Sequence, residues 1–104
     1  MEINSLFNVT GKVVVVTGGS RGIGEMITAG FLANGAKVYI SARKAPPLME
    51  KAKELSERYN AECIAIPCDL STLEGIDYFT QQITEKENGI DFLINNAGAA
   101  WENP

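Results

Sequence analysis

Histidine is absent from the 104 residues, and cysteine occurs only twice. The lack of histidine excludes histidine-based catalysis, zinc sites built on imidazole and histidine pH switches. Two cysteines cannot build the disulfide framework of a small secreted domain, and Cys63 and Cys68 do not have Cys-x-x-Cys spacing. We expect both to act as small apolar residues in or near a strand, and we expect no metal site.

Long apolar runs and an excess of positive charge are also missing. Uninterrupted apolar stretches such as Val13 to Val16 are far too short to cross a membrane. The first nine residues contain no Lys or Arg, which argues against a signal peptide. Nine Lys and Arg against thirteen Asp and Glu give a net charge of −4, which suits nucleic acid poorly. We therefore expect a cytoplasmic protein that binds neither membranes nor nucleic acid.

The remaining composition, 45% hydrophobic and 21% charged, is that of one small globular domain, residues 1–104. Apolar runs predict strands over 12–17, 37–41, 62–67 and 91–95. Helices are expected over 21–34, from 46 to 59 and from 71 to about 88. This alternation predicts an α/β fold with a parallel sheet, helices on both faces and strand order 3-2-1-4.

Two of the helices carry local patterns that the structure can test. In the first helix, one mostly apolar side is formed by Ile23, Ile27, Gly30, Phe31 and Asn34. In the third helix, Ser71 is followed three residues later by Glu74, which matches a capping box.

The glycine-rich segment from Thr17 to Gly24 follows a strand and opens a helix, which is the context of a phosphate-binding loop. Gly18 would let the chain turn off the strand, Gly22 would let a pyrophosphate approach the backbone, and Gly24 would let the helix pack closely on the sheet. The unpaired N–H groups of the helix would hold the anion. The other candidates for cofactor contact in this loop are Ser20, Arg21 and Ile23. The alternative is a glycine-rich turn with only a structural role.

Three segments in the same order resemble the short-chain dehydrogenase/reductase family. They are Thr-Gly-x-x-x-Gly-x-Gly from Thr17, Asp69-Leu70 after the third strand, and Asn-Asn-Ala-Gly from Asn95. The resemblance covers essentially the whole chain and implies the first half of a Rossmann-type doubly wound sheet. The run from Gly18 to Arg43, with Trp101, is similar to the 3-oxoacyl reductase branch, including rhamnolipid-type reductases.

The end of the second strand favours NADP(H) over NAD(H). An acidic residue there would hold the ribose hydroxyls and repel a 2′-phosphate, but the sequence has Ser41 instead. Arg43 can offer a planar guanidinium to the phosphate, and Arg21 could reach it from the glycine loop. The alternative is that both arginines are only solvated surface cations.

The resemblance implies further contacts with the dinucleotide. Asp69 would accept a hydrogen bond from the adenine amino group, with the Leu70 backbone alongside; otherwise Asp69 only complements the dipole of the next helix. Asn95 and the backbone of Ala97 and Gly98 would line the ribose and pyrophosphate side of the cleft. Asn95 could instead bond neighbouring backbone between strands.

The residues that carry out family catalysis are not found here. The family uses Tyr-x-x-x-Lys with an upstream Ser, whereas Tyr39, Tyr59 and Tyr78 are followed four residues later by Arg, Cys and Gln. We expect the catalytic Ser, Tyr and Lys to lie after Pro104, and we assign no catalytic residue.

A fourth strand at the sheet edge and the family's greater length lead us to expect an incomplete chain. The first hypothesis is therefore the NADP(H)-binding part of a reductase for a small carbonyl substrate, whose full-length form is a homo-oligomer. The alternative is a truncated module that holds nucleotide, or caps a full-length partner, without chemistry. Methyltransferase and flavodoxin-like folds fit poorly, because the acidic residues that they need at strand ends are missing.

Overall fold

Four parallel strands and three helices alternate along residues 8–96, the part of the chain that the computed structural model describes. In chain order the elements are β1 (Val13–Thr17), α1 (Gly22–Ala33), β2 (Lys37–Ala42), α2 (Ala45–Tyr59), β3 (Cys63–Pro67), α3 (Leu73–Lys86) and β4 (Phe92–Asn95). The strand order β3-β2-β1-β4 confirms the predicted 3-2-1-4. None of these three helices is long and apolar enough to cross a membrane.

β1 lies between β2 and β4, and its register brings the strand ends level. Thr17 is opposite Ser41 on one side and opposite Asn95 on the other. On the far side of β2, Ala42 is opposite Pro67, the last residue of β3. Because the strands are parallel, all four carboxyl ends therefore open onto one edge of the sheet.

The valines of β1 explain why this strand is central. Val14, Val15 and Val16 are completely buried. Val14 and Val16 belong to the cluster that includes α1 and α2, whereas Val15 belongs to the cluster that includes α3. Side chains alternate between the two faces of a strand, so both faces of β1 are covered by helices. Each buried valine side chain contributes about 1.5–3 kcal/mol of hydrophobic stabilisation.

The buried side of α1 only partly matches the mostly apolar side predicted for it. Ile27 and Phe31 of the predicted side are partly buried and pack against the core, whereas Ile23 is 67% exposed. The fully buried residues are Gly24, Thr28 and Leu32. Periodicity of apolar residues missed Gly24 and Thr28 because they are small or polar. Close approach to the glycine loop, rather than apolar area, decides which side of the first two turns faces the sheet.

α2 packs one apolar stripe against the sheet. Two prolines lie in its first turn, where a missing N–H costs little. Its inward stripe is formed by Leu48, Ala52 and Leu55, all buried against the sheet. On its exposed side, Arg58 Nη2 lies 2.6 Å from the Glu54 carboxylate.

The N-cap of α3 is Thr72, not Ser71 as the capping-box pattern predicted. The Thr72 hydroxyl accepts a hydrogen bond from the Gly75 amide at 3.0 Å. Ser71 does not act as the cap, because its amide and hydroxyl both donate to Oδ1 of Asp69, at 3.0 and 2.6 Å. The turn at Asp69 therefore moves the start of the helix by one residue.

β4 pairs with β1 alone within residues 8–96, so it is an edge strand in the described sheet. Its side chains are apolar yet open: Leu93 is 62% exposed, and Phe92 is half-exposed although its ring centroid lies 5.9 Å from that of Phe31. This agrees with the apolar edge expected from the sequence.

Candidate functional site

The loop between β1 and α1 begins with a tight reversal at the carboxyl edge of the sheet. Gly18 has a positive φ of 68°, and its amide donates to the Ser41 carbonyl at 3.0 Å. The loop is thus fixed to the end of β2 by a backbone bond. Gly19, which was not singled out from the sequence, is buried here; a Cβ on it would lie 2.6 Å from Cγ2 of Ile40.

Among residues 8–96, no side chain caps the N-terminus of α1, and its first residues are exposed. The N-cap residue is Arg21, which has extended backbone and no side-chain cap bond. Gly22 follows with a φ of 60°, and a Cβ on it would meet nothing within 4 Å. Ser20 is half-buried and Ile23 is exposed. The first amides of α1 therefore face a space that an anion can enter along the backbone.

Gly24 holds α1 against the glycine loop. A Cβ at this position would lie 2.1 Å from the Gly18 carbonyl oxygen, a distance that no side chain tolerates. Thr28, buried one turn later, donates to the Gly24 carbonyl at 2.8 Å and lies 3.3 Å from that of Gly19. Sequence reasoning identified Gly24 but missed Thr28, whose only signal was a polar residue four positions after a glycine at the start of a helix.

The ends of β1 and β4 are joined by side chains. The Thr17 hydroxyl donates to Oδ1 of Asn95 at 2.9 Å and accepts from the Asn96 amide at 3.0 Å. The Asn96 side chain in turn donates to the Gly18 carbonyl at 3.3 Å. These contacts give Asn95 a bond across the strands, and they identify Asn96 as a support of the glycine loop that sequence reasoning missed. Ala97 and Gly98 lie outside the described residues.

The end of β2 has no carboxylate and is bordered by exposed cations. Ser41 is buried, whereas Arg43 and Lys44 are exposed just beyond the strand. Arg21 is exposed in the adjacent loop after β1. The edge between these two loops therefore presents positive charge beside the uncapped end of α1.

Asp69 follows β3 at the same edge of the sheet. Both hydrogen bonds from Ser71 go to Oδ1, so among the residues that the structure describes Oδ2 is left to accept from a ligand. These bonds lower the pKa of Asp69, with a smaller contribution from the positive charge of Arg43. Asp69 is thus an ionised acceptor at neutral pH. Leu70 is half-buried and packs against the α3 side of the core.

The cysteines lie on or beside β3 and are unsuited to nucleophilic chemistry. Burial raises the pKa of the Cys63 thiol to about 12, and burial with the nearby Asp69 charge raises that of Cys68. Both thiols are therefore protonated at neutral pH.

Comparison with known proteins gives a consistent match. Residues 12–104 match the family model described as short chain dehydrogenase. The rhamnolipids biosynthesis 3-oxoacyl-[acyl-carrier-protein] reductase of Pseudomonas aeruginosa is 44% identical over 95 residues, which are 91% of this chain and 36% of that protein.

Solved structures agree with that match. L-Sorbose reductase from Gluconobacter frateurii, complexed with NADPH and L-sorbose, superposes with a TM-score of 0.84 at 37% identity over 88% of this chain and 35% of its own. The NADP complex of RhlG from Pseudomonas aeruginosa gives 0.82 at 45% identity, over 88% and 36%. The chain thus spans about a third of the length of these relatives.

Proposed function

Because the chain belongs to the short-chain dehydrogenase family, as its motifs predicted, we propose that it is the NADP(H)-binding part of an oxidoreductase that reduces a carbonyl group. The observation that carries the proposal is the uncapped start of α1, with open space beside Gly22 and exposed arginines at the neighbouring strand ends. This arrangement fits a ligand with several phosphates. Residues 1–104 would then constitute one cofactor-binding half-domain.

The pyrophosphate would lie against the first turn of α1. The residues around it would be Gly18, Ser20, Gly22, Ile23 and Gly24. The open backbone at Gly22 allows close approach, and the amides of the first turn supply unpaired donors and the positive end of the helix dipole. Gly24 acts indirectly, since it permits the helix to come near enough to the loop for those amides to face the ligand.

The 2′-phosphate would lie between Arg21 and Arg43. A guanidinium group can hold two phosphate oxygens at once, and it keeps its charge at all physiological pH values. Ser41 contributes by being neutral, because a carboxylate at the end of β2 would repel the phosphate. This charge pattern is the physical basis for a preference for NADP(H) over NAD(H).

The adenine amino group would donate to Oδ2 of Asp69, beside the Leu70 backbone. Asn95 has a second role in this proposal, since its bond to Thr17 fixes the side chain at the cleft where the ribose would lie. The backbone of Ala97 and Gly98 is assigned to the same part of the cleft on the strength of the Asn-Asn-Ala-Gly motif.

When bound, the cofactor supplies the hydride that reduces the carbonyl carbon. The chain's own residues bind and orient the dinucleotide, and none of its three tyrosines has the Tyr-x-x-x-Lys context needed for proton transfer. Two similar proteins are described as acting on a 3-oxoacyl group and on L-sorbose, both of which carry a ketone. We take 3-oxoacyl thioesters as the first substrate class to test in an enzyme that contains this sequence.

Calorimetric titration of the folded 104-residue chain with NADPH and with NADH tests the proposal. We expect measurable heat with NADPH and binding at least about tenfold weaker with NADH, because one charge-assisted phosphate contact contributes about 1.5–3 kcal/mol. Circular dichroism on the same sample checks that the chain is folded. Folded protein that binds neither dinucleotide would overturn the proposal.

A further inference from the structure

A chain of ion pairs connects α2 to the first turn of α1. Lys51 Nζ lies 3.4 Å from Oε2 of Glu25 and 3.1 Å from Oε1 of Glu54. Arg58 completes the chain from the next turn of α2, 2.6 Å from the other carboxylate oxygen of Glu54. Two cations and two carboxylates sum to zero, so the loss of Lys51 alone would leave the set with a net charge of −1.

Glu25 is the acidic residue of the first turn of α1, three residues after Gly22. A carboxylate in this position suits the helix dipole in the free protein. The same carboxylate repels a pyrophosphate held at that end of the helix, since both carry negative charge within about one helical turn. Glu25 therefore opposes the binding proposed for this site unless its charge is neutralised.

Lys51 is the cation that neutralises it. Its ammonium group and the Glu25 carboxylate are both only partly exposed, at 25% and 30% of their side chains, so solvent screens the pair less than a fully exposed one. Hydrogen bonds to Glu54 and then to Glu25 raise the pKa of Lys51, so the ammonium stays charged at neutral pH. Arg58 pairs with the other carboxylate oxygen of Glu54 and neutralises that charge, so the charge of Lys51 can neutralise Glu25.

We propose that Lys51 is a positioning residue for the dinucleotide: by pairing with Glu25 it removes a repulsive charge from the phosphate-binding end of α1. The inference rests on the proposed function, because it assumes that the phosphates lie there. It adds a residue of a different helix, remote in sequence from the glycine loop, to the set that determines cofactor affinity.

Lys51→Met tests the inference, since methionine keeps the apolar stem and removes the charge. At about 20 mM salt, we expect its dissociation constant for NADPH to be about fivefold higher than that of wild type. At about 500 mM salt, the two dissociation constants should be close to each other, because salt screens the repulsion from Glu25. Adding Glu25→Gln to Lys51→Met should restore the affinity for NADPH to within about twofold of wild type. Lys51→Arg alone should also keep the wild-type affinity. In both variants the charges of the remaining ion pairs sum to zero.

The matched control is Lys53→Met, which changes the net charge of the protein equally. Lys53 is exposed, about 200° around α2 from Lys51, and should change affinity by less than about twofold. Thermal midpoints are recorded for every variant. An unchanged affinity in Lys51→Met, an equal loss in Lys53→Met, or a loss that follows the thermal midpoint and is not restored by Glu25→Gln would each overturn the inference. Wild-type protein that binds neither NADPH nor NADH would instead overturn the proposed function, and this inference with it.

Discussion

The buried phenol of Tyr39 donates a 2.6 Å hydrogen bond to the carboxylate of Glu87, 48 residues further along the chain. Tyr39 lies in β2, completely buried, and Glu87 caps the C-terminal end of α3. Lys37, the first residue of β2, lies 2.6 Å from the same oxygen of Glu87. One carboxylate therefore ties the end of α3 to the amino end of the sheet, opposite the candidate site.

Tyr39→Phe should destabilise the protein by about 1.5 kcal/mol. This is the low end for a hydrogen bond to a charged group, because Lys37 continues to satisfy Glu87 in the variant. Urea unfolding measures the change. The control is Tyr78→Phe on the exposed surface of α3, which should alter the free energy of unfolding by less than about 0.5 kcal/mol. Equal effects at the two positions would contradict the prediction.

Stability should fall in acid because of Glu87. Its pKa is lowered from 4.5 in the folded protein, first by the bond from Lys37 and then by that from Tyr39. A lowered pKa means that the unfolded chain binds the proton more readily, so this contribution is present above about pH 4.5 and is lost as the pH falls through the folded value. We expect the urea midpoint of wild type to fall more steeply between about pH 6 and pH 3 than that of Glu87→Gln. Parallel pH profiles would show that Glu87 is not responsible.

The parts of the fold that the sequence predicted are those that depend on local pattern. Four consecutive valines predicted a strand covered on both faces, and Val14 to Val16 are indeed fully buried. The alternation of strands and helices then left few topologies, because crossovers between parallel strands are right-handed. The strand order and the place of the glycine loop followed from these two facts.

What sequence reasoning missed depends on contacts between distant segments. The bond from Tyr39 to Glu87 joins residues on separate elements, and no periodicity of either segment indicates it. Thr28 faces inward because it bonds the carbonyl of Gly24, while Ile23, the apolar residue that the pattern favoured, is exposed. At this crowded loop, the hydrogen bond of a buried polar side chain had more influence on the inward side of the helix than the spacing of apolar residues. Apolar spacing predicts the buried side poorly where small residues pack closely.

Two glycines of α1 should respond oppositely to the same substitution. A Cβ on Gly24 would lie 2.1 Å from the Gly18 carbonyl oxygen, whereas one on Gly30 would meet nothing within 4 Å. Gly24→Ala should therefore cost about 3 kcal/mol or more by displacing the helix from the loop, while Gly30→Ala should stabilise the helix by up to about 1 kcal/mol. Thermal or urea unfolding distinguishes them. Similar signs for both would mean that α1 is not held as closely to the loop as the structure shows.

Arg43 should set the preference between the two nicotinamide dinucleotides. Arg43→Asp removes a guanidinium group and places a carboxylate beside the proposed 2′-phosphate, so NADPH should bind about 10- to 100-fold more weakly. NADH lacks that phosphate and should be held at least as well as in wild type, because the new carboxylate can accept from ribose hydroxyls. Calorimetric titration with both dinucleotides gives the ratio. Lys53→Asp is the control, since it makes the same change of charge on the exposed side of α2. If Arg43→Asp kept wild-type affinity for NADPH, the 2′-phosphate would have to lie elsewhere, and Arg43 would be an ordinary surface cation.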